Sequence, residues 1–350
     1  MRRKNMPLRR KLEGHSAKRR STSISPWSGR SGLVSTSMDG FLSRGRGLGA
    51  PRIEGAPAVR EPRASACEAR TRRHLGGLVD DPLTDDALTG GFRLWQRKRG
   101  HRYSLDDVLT AWEAARWALE AAAAGRPVRR ACDLGCGIGS VLLMLAYKLP
   151  EARFEAIEAQ EISFGLAQRN VARNGCGERI RLHQGDLRCS GIQTRLGGGF
   201  DLVTGTPPYM PPGTSTPSPD PQRAYARVEL RGGVEDYLAA AGQLVAPNGR
   251  VVVCCDARTP ARAVEGGRRA GLRPLRKRDA VPRAGRAPLF TVWTFAREDD
   301  VAAGARSDVL PFVARDEDGQ RSEAYFAVRA FFDLPRTHGG APSAAAGERA

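Results

Sequence analysis

Three glycines at alternate positions constrain this chain more than any other feature. They lie in Ala131-Cys132-Asp133-Leu134-Gly135-Cys136-Gly137-Ile138-Gly139-Ser140, with an apolar, helix-forming run from Val141. A buried strand, a tight turn and a helix are expected, with the bare backbone of Gly135, Gly137 and Gly139 open to a ligand. The G-x-G-x-G spacing is one residue short of the G-x-G-x-x-G dinucleotide fingerprint, and Asp133 stands just ahead of it. A pyrophosphate wants unopposed amides at a helix N-terminus, so this carboxylate favours a ligand carrying positive charge.

The flanking texture sets the fold class. Strand-like runs at 153–158, 180–186, 200–204 and 250–255 alternate with helical runs at 141–146, 162–174 and 233–244. Such alternation specifies a parallel sheet covered on both faces. Residues 272–281 and 289–295 read as an antiparallel finish to that sheet, and 324–328 as one more strand-like piece. Upstream, 92–96 reads as a strand. Ser104, with Asp107 three residues on, reads as a capping box opening a helix that ends near Gly125. The expectation is an α/β, Rossmann-like domain over 89–300.

A hydrophobic fraction of 41% in 350 residues is enough for a core. The net charge of +18 makes a polyanion, nucleic acid first, the expected partner, although a basic tail and an arginine bias account for much of it. Residues 1–88 lack periodicity and carry the clusters Arg2-Arg3-Lys4, Arg9-Arg10-Lys11 and Lys18-Arg19-Arg20. They are expected to be a disordered basic extension, and 301–350 a partly disordered C-terminal one. The N-terminal segment fits a mitochondrial or plastid transit peptide, a nuclear signal or nonspecific RNA-binding arm, or an over-extended reading frame starting at Met38. An intracellular protein is expected in each case. Seven cysteines form no C-x-x-C pair, so neither a metal site nor a disulfide framework is expected; Cys132, Cys136, Cys254 and Cys255 read as buried thiols. The chain contains no run of 18 apolar residues, so no membrane partner is expected.

Carboxylates fall at the C-terminal ends of three successive strands: Asp133, Glu158 and Asp186. Ligands of open α/β sheets lie in the crevice outside those ends. Glu158 sits close to where dinucleotide folds place their ribose-binding acid, and Asp186 is placed to reach a purine amino group. Each acid alone reads equally well as a solvated strand end; three beside a glycine turn do not. The fourth strand runs into Thr206-Pro207-Pro208-Tyr209. Two prolines stiffen the chain and aim the carbonyls of Thr206 and Pro207 into the crevice, while Tyr209 offers a plane on which a base can stack. A proline-rich turn is the plainer alternative, given the low-complexity run at 211–217.

Residues 91–295 resemble the class I S-adenosylmethionine-dependent methyltransferases. Within them they are similar to the small-domain group with its Asn-Pro-Pro-Tyr motif, and in texture to the bacterial tRNA adenine-N6 methyltransferases. The likeness rests on His101-Arg102-Tyr103-Ser104-Leu105-Asp106-Asp107, the glycine turn and Glu158. It extends to Gln168-Arg169-Asn170-Val171-Ala172-Arg173-Asn174, Gly185-Asp186 and Arg223-Ala224-Tyr225-Ala226-Arg227. The resemblance implies a mostly parallel central sheet with an antiparallel C-terminal strand. It implies S-adenosyl-L-methionine as cofactor, with Asp133, Gly135, Gly137 and Gly139 at its methionine end, Glu158 at the ribose and Asp186 at the adenine. Tyr103 and Asp106 join the cofactor set, and Thr206, Pro207, Pro208 and Tyr209 would hold an RNA adenine for N-methylation. Thr206 stands where the family has asparagine, and a hydroxyl lacks the paired geometry of an amide. Arg223, Arg227 and Arg231 recur at i, i+4 and i+8, a helical face able to meet phosphates, or a solvated one. Methylation of a protein glutamine, or a catalytically silent RNA-binding scaffold, are the alternatives.

Overall fold

The computed structural model describes residues 81–336, apart from 215, 217 and 306. The basic extension up to residue 80, and the alanine- and glycine-rich end past 336, lie outside the described residues. A small antiparallel pair comes first, β1 (Leu83–Ala87) and β2 (Arg93–Arg97), with Asp85 opposite Trp95. Residues 83–87 are therefore a strand within the stretch expected to be disordered. Their polar sequence, Leu-Thr-Asp-Asp-Ala, hides a strand that only its partner specifies.

The main domain follows as α1 (Leu105–Ala123), β3 (Arg130–Leu134), α2 (Ser140–Lys148), β4 (Arg153–Glu158), α3 (Glu161–Arg173) and β5 (Ile180–Gln184). Then come α4 (Ser190–Leu196), β6 (Phe200–Gly205), α5 (Pro221–Arg227), α6 (Val234–Leu244), β7 (Val245–Asp256) and α7 (Pro260–Arg269). It closes with β8 (Leu272–Val281), β9 (Phe290–Arg297), β10 (Asp308–Val313) and α8 (Glu323–Phe331). Eight strands form one sheet in the order β10-β8-β9-β7-β6-β3-β4-β5. Every neighbouring pair is parallel except those of β9, which runs antiparallel to β7 and β8. This is the α/β sheet that the alternating pattern predicts.

Strand residues alternate between two cores, as a period of two requires. Ala131, Leu202, Val252 and Cys254 pack with α1, α2, α3 and α8 on one face. Cys132, Val203, Val251, Val253 and Cys255 pack with α4, α6 and α7 on the other. Seven consecutive residues of α2, Ser140 to Ala146, are buried, which is why its sequence is apolar all round.

Besides β1 and the short helix α4, three elements depart from the sequence reading. Residues 324–328 are helical, not a strand: the Ser322 hydroxyl caps α8 by accepting from the Tyr325 amide at 3.0 Å. A short apolar run does not distinguish the two states, and the cap decides. β10, within the expected C-terminal extension, pairs with β8 and so extends the sheet. The unanticipated helix α7 carries Gly266 and Gly267, poor helix formers. A Cβ at Gly266 would lie 3.2 Å from Glu235 Cα, and one at Gly267 would lie 2.7 Å from the Phe295 ring. Close packing against α6 and β9 overrides propensity there.

Two side-chain amides on α3 bind the β1–β2 pair to the domain. Asn170 Oδ1 accepts from Trp95 N at 2.8 Å, and its Nδ2 donates to Trp95 O and Ile138 O, each at 2.9 Å. Asn174, just past the helix end, accepts from Arg93 N at 2.9 Å and donates to Arg93 O at 2.8 Å. The two amides, one turn apart, satisfy alternate residues of β2 as a partner strand would. Asn170→Ala leaves buried polar groups unmade at about 1–3 kcal/mol. We expect a lower urea midpoint and faster hydrogen exchange at the Trp95 amide; unchanged exchange there would show that Asn170 does not hold the strand.

Candidate functional site

Gly135, Gly137 and Gly139 adopt φ of +60°, +57° and +90°, a left-handed conformation at every second residue. A Cβ at Gly135 would overlap the Tyr237 hydroxyl of α6, whereas one at Gly137 would meet nothing within 4 Å. The turn is thus wedged against α6 at its first glycine and open at its second. The Gly137 amide donates to Glu158 Oε2 at 2.8 Å, and the Gln160 amide to Oε1 at 2.6 Å. The Cys136 amide reaches Ile157 O at 2.9 Å. The glycine turn and the end of β4 are one hydrogen-bonded unit.

Two spaces open beyond these strand ends. A cleft of about 810 Å³, its mouth included, is lined by Gly135, Gly137, Glu158 and Asp186, with apolar walls from Ile138, Ile157 and Leu187. A second space of about 1230 Å³, likewise open, is lined by Asp106, Pro207, Tyr209, Arg223 and Arg227 with Lys98, Arg99 and Arg102. The two meet at His101, Tyr103, Asp107, Thr206 and Ala226, which line both. Pro208 faces the first. Neither Asp133 nor Gly139 lines either space. Asp133, 2% exposed, lies behind the turn, where its Oδ1 accepts from Thr204 Oγ1 at 2.7 Å and its buried Oδ2 has no hydrogen-bond partner. Asp106 faces the second space and accepts from the Tyr209 hydroxyl at 3.3 Å.

Asp186 lies two residues past β5, paired with Arg188 through both carboxylate oxygens at 2.9 and 2.7 Å. Burial pushes its pKa up, but the hydrogen bonds from Arg188 outweigh that and hold it low. The three-arginine face does not form. Helix α5 ends at Arg227 because Val228 turns extended, and Arg231 falls in the following loop. Its guanidinium stacks 4.4 Å over the Tyr225 ring, with both residues lining the cleft and its buried Nη1 lacking a hydrogen bond. Arg231 is a site residue that helical spacing assigned to the wrong face. Sequence reasoning also missed Gln222, fully buried, which ties α5 down by accepting from Arg97 Nη1 and donating to Ser163 Oγ, each at 3.1 Å.

The buried acids share an electrostatic predicament. Burial lifts the Asp133 carboxyl from 3.8 to about 7. It lifts Asp107 to about 8, with Asp106 beside it adding to the effect. Glu158 is raised by burial against its amide hydrogen bonds. A carboxyl raised in the fold keeps its proton where the unfolded chain has lost it, so stability is present below about pH 4 and falls as pH rises through 7. We predict that the ligand-free protein loses several kcal/mol of stability between pH 5 and 8. Asp133→Asn reduces that dependence in urea titrations, with Asp107 carrying the rest; an equally steep variant would contradict the assignment.

Residues 117–217 match the methyltransferase small domain. The chain is 35% identical over 138 residues to a tRNA1(Val) (adenine(37)-N6)-methyltransferase of Porphyromonas gingivalis, covering 39% of this chain and 53% of that protein. It is 28% identical over 238 residues to the Bacteroides thetaiotaomicron protein of that name, covering 67% and 91%. A release factor glutamine methyltransferase of Chlorobaculum tepidum is 37% identical over 79 residues, 23% of this chain and 27% of that one. The chain thus spans about half the length of the Porphyromonas relative.

Proposed function

We propose that this chain, which belongs with the class I S-adenosylmethionine-dependent methyltransferases of the small-domain group, methylates an adenine amino group in a tRNA-like RNA. The observation that carries the choice of acceptor is the charge around the second space. Lys98, Arg99 and Arg102 precede α1, Arg223 and Arg227 lie on α5, and all five line the space that holds Tyr209. Among the described residues, Lys98, Arg223 and Arg227 form no ion pair, while Arg99 and Arg102 pair with Asp81 and Asp86. A protein amide needs no such rim. The phosphates that flank a nucleotide do.

The first cleft fits S-adenosylmethionine on its own features. The open side of Gly137 admits close approach, and Glu158, oriented by two amides, can accept from ribose hydroxyls. Ile138, Ile157 and Leu187 form apolar walls for a purine, and Asp133 with its orphaned Oδ2 places a carboxyl beneath the turn that a cationic ligand would favour in its charged form. When bound, the cofactor supplies an electrophilic methyl group. The chain's own residues supply orientation: Tyr209 gives the base a stacking plane, and Thr206, at the junction, meets the target nitrogen. A base and a cofactor bound side by side would displace water where the two spaces meet, which strengthens the polar contacts there.

S-adenosylhomocysteine should bind the full chain with micromolar affinity by calorimetry, and Glu158→Ala should weaken it by tenfold or more, about 1.4 kcal/mol. Reversing Arg223 and Arg227 to glutamate should cut methyl transfer into unmodified tRNA while leaving that affinity unchanged. Transfer into protein instead would favour the glutamine reading. Binding without transfer to either would favour a scaffold.

A further inference from the structure

We infer that Asp107 is the positioning residue that lets Thr206 replace the asparagine of the Asn-Pro-Pro-Tyr group. In its ionised form Asp107 accepts the hydrogen bond of the Thr206 hydroxyl, which turns the Oγ1 lone pairs toward the target N–H. This rests on the methyl-transfer reading above.

A threonine hydroxyl rotates, and it can donate to or accept from whatever faces it. The amide oxygen of asparagine only accepts. A hydroxyl works as a one-way acceptor only when another group holds its proton. Here Thr206 Oγ1 donates to Asp107 Oδ1 at 3.3 Å. The other carboxylate oxygen, Oδ2, accepts from the Ser104 amide at 2.9 Å, which fixes the carboxyl plane at the start of α1. Asp107 is 7% exposed, and both residues line the junction of the two spaces, where a nitrogen must sit to meet a methyl donor. The 3.3 Å separation is long for such a bond, as bonds in reacting sites often are before their ligands arrive. The adjacent Asp106 does the same for the Tyr209 hydroxyl. Two consecutive acids in the first turn of α1 thus hold the two hydroxyls of Thr206-Pro207-Pro208-Tyr209.

In the step so oriented, the nitrogen lone pair forms the N–C bond as the S–C pair returns to sulfur. The surplus N–H proton then leaves to solvent. Thr206 accepts the remaining N–H and aligns the lone pair; it forms no covalent bond.

The test compares Asp107→Ala, Asp107→Asn, Thr206→Val, Thr206→Asn and the double variant Asp107→Ala/Thr206→Asn in the full chain. One arm measures S-adenosylhomocysteine affinity by calorimetry, the other single-turnover transfer of labelled methyl to unmodified tRNA and to protein. Asp107→Ala and Thr206→Val should each slow transfer about a hundredfold with affinity unchanged within about threefold. Asp107→Asn offers one accepting oxygen to two donors, the Ser104 amide and the Thr206 hydroxyl, so its NH2 faces one of them and it too should slow transfer. Thr206→Asn should restore the Asp107→Ala rate to within about tenfold of wild type, which a merely structural Asp107 would not permit. Wild-type transfer by Asp107→Ala, a parallel loss of affinity, or failure of the rescue would overturn the inference. If Asp107→Ala does not fold, full activity of Thr206→Val would overturn it. If only Thr206→Asn transfers, the methyl-transfer reading stands and the pairing falls. If every protein binds the probe and none transfers, both fall.

Discussion

The hydrogen bond from the Gly137 amide to Glu158 is the constraint on which the site depends. It couples the turn after β3 to the end of β4, so two neighbouring strands present their C-terminal edges as one surface. The bond comes from a residue in the left-handed conformation, φ +57° at Gly137, which glycine adopts without strain. Burial raises the Glu158 pKa, and the amides of Gln160 and Gly137 oppose that shift by favouring the charged form. Burial likewise raises the Asp107 and Asp133 carboxyls. Three acids held against desolvation are a destabilising arrangement in the empty protein, offset in part by amides, hydroxyls and the N-terminus of α2. A cationic ligand, such as the sulfonium of the proposed cofactor, would offset the rest.

Helix α1 links this pocket to the acceptor side. Its first turn offers Asp106 and Asp107 to Tyr209 and Thr206. Midway along, the buried Glu113 pairs with Arg278 of β8 and lies 3.6 Å from Arg276. A fully buried ion pair adds little net stability, but losing either partner is severe, and this pair fixes how α1 lies across the sheet. Any tilt of α1 would move both acids relative to the Thr-Pro-Pro-Tyr stretch. The positioning of two hydroxyls at the site is therefore secured in part on the antiparallel side of the sheet.

Much of this was legible because its causes are local. Alternate glycines announce alternate left-handed residues, and acids at strand ends announce a crevice, without knowledge of partners. Thr206-Pro207-Pro208-Tyr209 is visible for the same reason. What sequence missed depends on partners distant along the chain. β1 is a strand only because β2 lies beside it, and α7 is helical despite two glycines because α6 and β9 need the space. Arg231 looked like the third member of a helical face until Val228 ended the helix and sent it into the cleft. Asp107 passed for a helix cap, which it is, while its second oxygen meets a residue 99 positions away.

The most direct test of the central claim is to identify the product. The full chain is incubated with labelled S-adenosylmethionine and unmodified tRNA, the RNA is digested to nucleosides, and the labelled species is identified by chromatography and mass. The account predicts label in N6-methyladenosine. Label in another nucleoside would contradict the adenine acceptor, and label confined to protein would contradict RNA as the substrate.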